Sequence, residues 1–126
     1  MPVTADERTA RELLRSVVGA RDAEMYEALG FIAVEAEGGE YGYLIYPQRP
    51  IVSYDARSGE LLSEYCVKFR DSDDRLPDAD DVLAKWIALQ HDEEHVLGIA
   101  NLDHLGTQLD PEMVRRDLET VRQWRR

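Results

Sequence analysis

The chain reads as an α+β protein: a four-stranded antiparallel meander preceded by N-terminal helices and followed by a C-terminal helical segment packed on one face. Three observations predict it. Apolar residues follow a helical period up to about residue 29, switch to β-rich runs between about 31 and 69, and return to a helical period from about 79 onward. Successive strand segments are joined by short links rich in Gly, Pro and Asp, which favour sequential antiparallel pairing. The 126 residues, 44% of them hydrophobic, suffice for one core, so residues 1–126 are expected to form a single domain.

Thr4-Ala5-Asp6-Glu7 has the form of a capping box, with Thr4 as N-cap and Glu7 reaching back, and Ala10, Leu13, Leu14 and Val17 continue as one apolar stripe. A helix over about 5–18 is expected, stopped at Gly19. Asp22 is placed to cap a short helix to about residue 29, closed by Gly30. Strands follow at about 31–36 and 41–46, joined at Gly38-Gly39. Pro47 and Pro50 punctuate the chain before a third strand over about 51–54. The turn formers Asp55 to Gly59 lead to a fourth strand over about 61–69. Asp78 is expected to cap a helix over about 79–90, whose Val82, Leu83, Trp86 and Ile87 suit a sheet-covering face. A further helix is expected over about 93–101, then a connection, then a helix over about 111–123 started by Asp110-Pro111-Glu112.

Charge narrows the functional classes. Asp and Glu number 26 against 15 Lys and Arg, a net charge of −11 that repels phosphate backbones and anionic lipid surfaces. Direct nucleic-acid binding is therefore disfavoured. No apolar run approaches the roughly 18 residues of a membrane span, and the first residues lack the basic and apolar regions of a signal peptide, so a cytoplasmic protein is expected. A lone cysteine, Cys66, rules out an internal disulfide and is expected as a small buried hydrophobe. Asp71, Asp73, Asp74, Asp78, Asp80 and Asp81 crowd one region, while Arg115, Arg116, Arg122, Arg125 and Arg126 gather at the other end. Those arginines suit the negative end of a helix or an acidic surface beside it.

One stretch carries candidate chemistry. His91 and His95 are four residues apart, which on a helix turns them about 40° from one another, close enough for both imidazoles to reach one zinc ion. The stretch from His91 through Glu94, His95 and Gly98 to Asn101 resembles the helix of the zincin metalloproteases, the metzincin branch in particular, with Gly98 at the expected place. It departs from that pattern in having Asp92 in place of the glutamate base, one methylene shorter, and Asn101 in place of a third histidine. Read in the inverted sense, His91-x-x-Glu94-His95 supplies Glu94 as the base, with Glu112, Asp117 or Glu119 left to complete the ligands. His104 is another candidate third ligand if the chain turns after Gly98. The resemblance thus implies zinc held by His91 and His95, with His104 or one of Glu112, Asp117 and Glu119 as third ligand and Glu94 or Asp92 as general base.

The preferred reading needs no metal. One helix ends near Gln90-His91 and a second starts with Asp92 as its N-cap, so that Glu93 and Glu94 meet free backbone amides, a contribution of about 1 kcal/mol. The expected function is then a small, acidic, non-catalytic protein-interaction domain without cofactor. Its candidate binding surface comprises Asp73, Asp74, Asp80 and Asp81, with Tyr41 and Tyr43 if the tyrosine-bearing sheet has an open face. A basic protein fits that surface as partner, and homo-oligomerisation is a further possibility. The alternatives are a zinc-dependent hydrolase and an acidic nucleic-acid mimic that occupies a basic DNA-binding groove.

Overall fold

A computed structural model describes residues 4–36, 38–66, 76–99, 101–104 and 108–125, with residues 92, 94–99 and 101–104 described by their backbone. Helix α1 (Ala5–Val18) starts where the Thr4 hydroxyl accepts the amide of Glu7 at 3.1 Å. Only half of the expected capping box forms, because the Glu7 carboxylate is used elsewhere: it accepts the amide of Ala79 at 2.8 Å, Arg11 Nε at 2.6 Å and the Tyr26 hydroxyl at 3.1 Å. The α1 stripe is narrower than its pattern suggests. Ala10 and Leu14 are buried, whereas Leu13 and Val17 are 52% and 42% exposed. Gly19, at φ 94°, ends α1 and starts α2 (Ala20–Leu29). A single residue in a conformation open to glycine makes the corner, so the second helix begins before Asp22 and does not use it as its N-cap.

The sheet follows as β1 (Ile32–Glu35), β2 (Tyr41–Ile45), β3 (Ile51–Asp55) and β4 (Leu61–Cys66), each antiparallel to the one before it. The β3–β4 turn is fixed by Asp55, whose carboxylate accepts the amides of Arg57 at 2.9 Å and Ser58 at 2.8 Å. Those donated bonds, Ser58 first, hold the Asp55 carboxyl below its ordinary range. The expected extension of the fourth strand to residue 69 lies outside the described residues.

Helix α3 (Asp78–Ile99) is one element of 22 residues. The junction expected at residues 90–93 is absent. Gln90 to Glu94 contains no Gly or Pro, and acidic residues inside a helix cost only tenths of a kcal/mol each, roughly, far less than breaking it. Glu93 is also tied to the sheet, because it accepts a hydrogen bond from the Tyr43 hydroxyl. A fifth strand, β5 (Asn101–His104), follows where the sequence suggested a helix end and a connection. It pairs with β4 through Cys66↔Asn101, Tyr65↔Leu102 and Ser63↔His104, giving the order β1-β2-β3-β4-β5. Helix α4 (Pro111–Trp124) has the expected Asp110 cap and buries Val114, Leu118 and Val121.

Alternate residues of a strand face opposite sides of a sheet. In the first three strands both sets are buried: Ile32, Val34, Tyr43, Ile45 and Ile51 on one side, and Ala33, Leu44, Val52 and Tyr54 on the other. Helix α3 covers the first side, as the Tyr43–Glu93 contact shows. Helix α4 covers the second, where Tyr46 donates to Asp117 at 2.8 Å and buried Glu64 accepts the amides of Gln108 and Leu109, just before α4. The core is therefore split by the sheet into two layers.

Candidate functional site

The N-terminal ends of α1 and α3 meet at Glu7. Its carboxylate caps α3 through the Ala79 amide, closing one of the free donors that every helix start leaves. Arg11 neutralises it, ion-paired at 2.6 Å, and the same guanidinium lies 5.5 Å from the centroid of the Tyr26 ring. The hydrogen bond with Glu7 raises the Arg11 pKa, while burial and then Glu7 push the Tyr26 phenol well above its ordinary value.

Around this tied carboxylate stand Asp6, Asp78 and Asp80. Asp6 is exposed, Asp78 and Asp80 half-buried. Burial first, then the charges of Glu7 and Asp6, holds the Asp80 carboxyl above the usual range. The corner thus gathers four carboxylates, Asp6, Glu7, Asp78 and Asp80, at the starts of two helices, whose amides and Arg11 offset part of the charge. Asp6 and Glu7 come from the first helix and are not among the binding residues expected from the sequence. The capping-box pattern drew attention to Glu7 for a local role, whereas its partner at residue 79 is visible only once the chain has folded.

The other acidic candidates separate. Asp81 does not belong to an accessible surface: its carboxylate accepts Lys85 Nζ at 2.6 Å and the Gln48 amide at 2.7 Å. Lys85 is 2% exposed and also donates to the carbonyls of Tyr46 and Arg49, each at 2.8 Å. All three ammonium donors are matched, which fastens the β2–β3 link to α3. Burial lowers the Lys85 pKa against the opposing pull of Asp81. Asp73 and Asp74 lie outside the described residues.

Of the tyrosines, Tyr41 is 48% exposed and Tyr43 is buried. Tyr43 is therefore not a contact residue of an open face, and its phenol is pushed up by burial and by Glu93. Tyr46 and Tyr54 are buried as well, because helices occupy both faces. Cys66 is half-buried at the end of β4, short of the full burial expected.

Within the histidine stretch, the backbone is helical through residues 91 and 95, and His91 is exposed. The side chains of Asp92, Glu94, His95 and His104 lie outside the described set. His104 stands opposite Ser63 in the fifth strand. Among the described residues, no group of three or more His, Cys, Asp and Glu side chains is placed to hold a metal ion. Nor is any described helix long and apolar enough to cross a membrane.

No family model matches the chain, and neither do the curated proteins or the solved structures.

Proposed function

We propose that this chain is a non-catalytic, cytoplasmic interaction module that binds a basic protein at the corner formed by Asp6, Asp78 and Asp80. The observation that supports this reading is the like-charge crowding at Asp80, whose carboxyl is raised by burial and by Glu7 and Asp6. A cationic partner relieves that repulsion and gains from the net charge of −11, which accelerates encounter and makes binding salt-sensitive. Titration calorimetry with an oligo-arginine peptide at low and high ionic strength tests it. Affinity is expected to fall steeply with salt, and salt-independent binding or none at low salt contradicts the proposal.

A second reading, a zinc-dependent hydrolase, has one observation in its favour. The continuous α3 keeps His91 and His95 on one helix, one turn apart, in the spacing a shared zinc ligand pair needs. Stoichiometric zinc in protein purified without tag or chelator, lost in His91→Ala and His95→Ala, supports this reading; zinc content unchanged by both substitutions removes it.

A further inference from the structure

A cavity of about 440 Å³ adjoins the acidic corner and shares Asp78 with it. The end of α2 at Gly30, Phe31 just before β1, the link that begins at Tyr46, and Asp117 of α4 make the rest of its wall.

Three features of this wall suit a cation. Asp117 is half-buried, and one of its carboxylate oxygens accepts the Tyr46 hydroxyl at 2.8 Å. Among the described residues, no Lys or Arg nitrogen lies within 4.0 Å of that carboxylate. The last turn of α2 carries no basic residue, and of its four terminal carbonyls only that of Tyr26 has a partner among the described residues, the Gly30 amide at 2.7 Å. The other three form the negative end of the helix, and a Cβ added at Gly30 would meet nothing within 4 Å, so open space reaches that end. Phe31 and Tyr46, a tilted pair with ring centroids 5.2 Å apart, add an aromatic wall of the kind that attracts cations.

Two features act against a cation and are weaker. Asp78 is the first residue of α3, whose free amides offset part of its charge. Arg49 lines the cavity but is exposed, and its Nη1 donates to Met113 Sδ at 3.7 Å, a weak acceptor, instead of pairing with Asp117.

We propose that the cavity receives an arginine side chain of the basic partner, its guanidinium bonded to Asp117 and to the carbonyl end of α2 beside the Phe31 and Tyr46 rings. A guanidinium is planar and has five donors in a fixed fork, so it meets a carboxylate, carbonyls and a ring together, which a compact ammonium does less well. The inference rests on the acidic corner as the docking site of that partner and adds a defined side chain and pocket to it.

Calorimetric titration with an oligo-arginine peptide at low salt compares Asp117→Asn, which keeps an acceptor for the Tyr46 hydroxyl, with Glu119→Gln, which removes the same charge from an exposed site on the same helix. The first is expected to weaken binding about tenfold and the second about twofold at most. In the wild type, the peptide is expected to shift the amide resonances of Gly30 and Phe31. Equal losses in Asp117→Asn and Glu119→Gln overturn the cavity, and they leave the corner standing if Asp6→Asn/Asp80→Asn still weakens binding. Peptide binding that leaves the Gly30 and Phe31 amides unshifted also overturns it, a result that holds even if Asp117→Asn fails to fold. No binding to the wild type at low salt overturns the cavity and the corner together.

Discussion

Replacing Lys85 with methionine keeps most of the stem and deletes the ammonium, so the change isolates the polar contacts of a residue that is 2% exposed. Three bonds disappear, to the Tyr46 and Arg49 carbonyls and to Asp81. The carbonyls lose their matched donor, and the Asp81 carboxylate, 13% exposed, keeps the Gln48 amide but loses its counter-charge. Removing one member of a buried ion pair costs about 3–5 kcal/mol, of which the neutral bonds account for about 1 kcal/mol each. Against a total stability of about 5–15 kcal/mol this is a large fraction. At this chain length it corresponds to a fall in Tm of about 15 °C. Urea and thermal unfolding followed by circular dichroism give both quantities. The double variant Lys85→Met/Asp81→Leu removes the stranded charge and is expected to be about 2 kcal/mol more stable than the sum of the single effects. A Lys85→Met protein within about 1 kcal/mol of the wild type, or strict additivity in the cycle, refutes the view that this pair fastens the β2–β3 link.

Gly42→Ala is expected to cost about 1–3 kcal/mol in urea unfolding, because a Cβ there runs into the Tyr54 ring packed over the glycine. Glu7→Ala is expected to lower stability by about 2–3 kcal/mol and Glu7→Gln by less, since the amide side chain retains an acceptor for the Ala79 amide or the Tyr26 hydroxyl. In alkali, Tyr26, Tyr43, Tyr46 and Tyr54 are held above the ordinary phenol value by burial, so the unfolded chain releases their protons first. Their contribution is whole below about pH 10 and is lost as pH rises further, at about 1.4 kcal/mol per pH unit for each. Lys85, lowered by burial, works in the opposite sense and gains stability as pH rises toward its unfolded value, so one group opposes four. Unfolding midpoints between pH 8 and 12, roughly bracketing the phenol range, check that sign.

Where a structural signal is local, the sequence carries it. Thr4, Gly30 and Asp110-Pro111 mark helix ends that the structure keeps, and the first four strands follow their β-rich runs. What depends on distant pairing was not legible. Residues 101–104 have no strand pattern of their own and become β5 by pairing with β4. The Asp92-Glu93-Glu94 run has the composition of a helix start, yet Tyr43, fifty residues away, holds Glu93 within a continuous helix. The candidate site divides the same way. Asp80 was recognisable as part of an acidic crowd, but its association with Asp6 and Glu7 arises from the packing of α1 against α3. Lys85 carries a local signal of its burial: it falls within the stripe Val82, Trp86 and Leu89, with Asp81 one turn before it.

The acidic corner is tested most directly by asking whether the position of the charge matters and not merely its sum. Calorimetric titration of the oligo-arginine peptide compares Asp6→Asn/Asp80→Asn with Glu27→Gln/Glu119→Gln, which removes the same formal charge from exposed sites on α2 and α4. The first pair is expected to weaken binding severalfold more than the second. Equal losses in the two proteins contradict a localised site and leave only a diffuse attraction between polycation and polyanion.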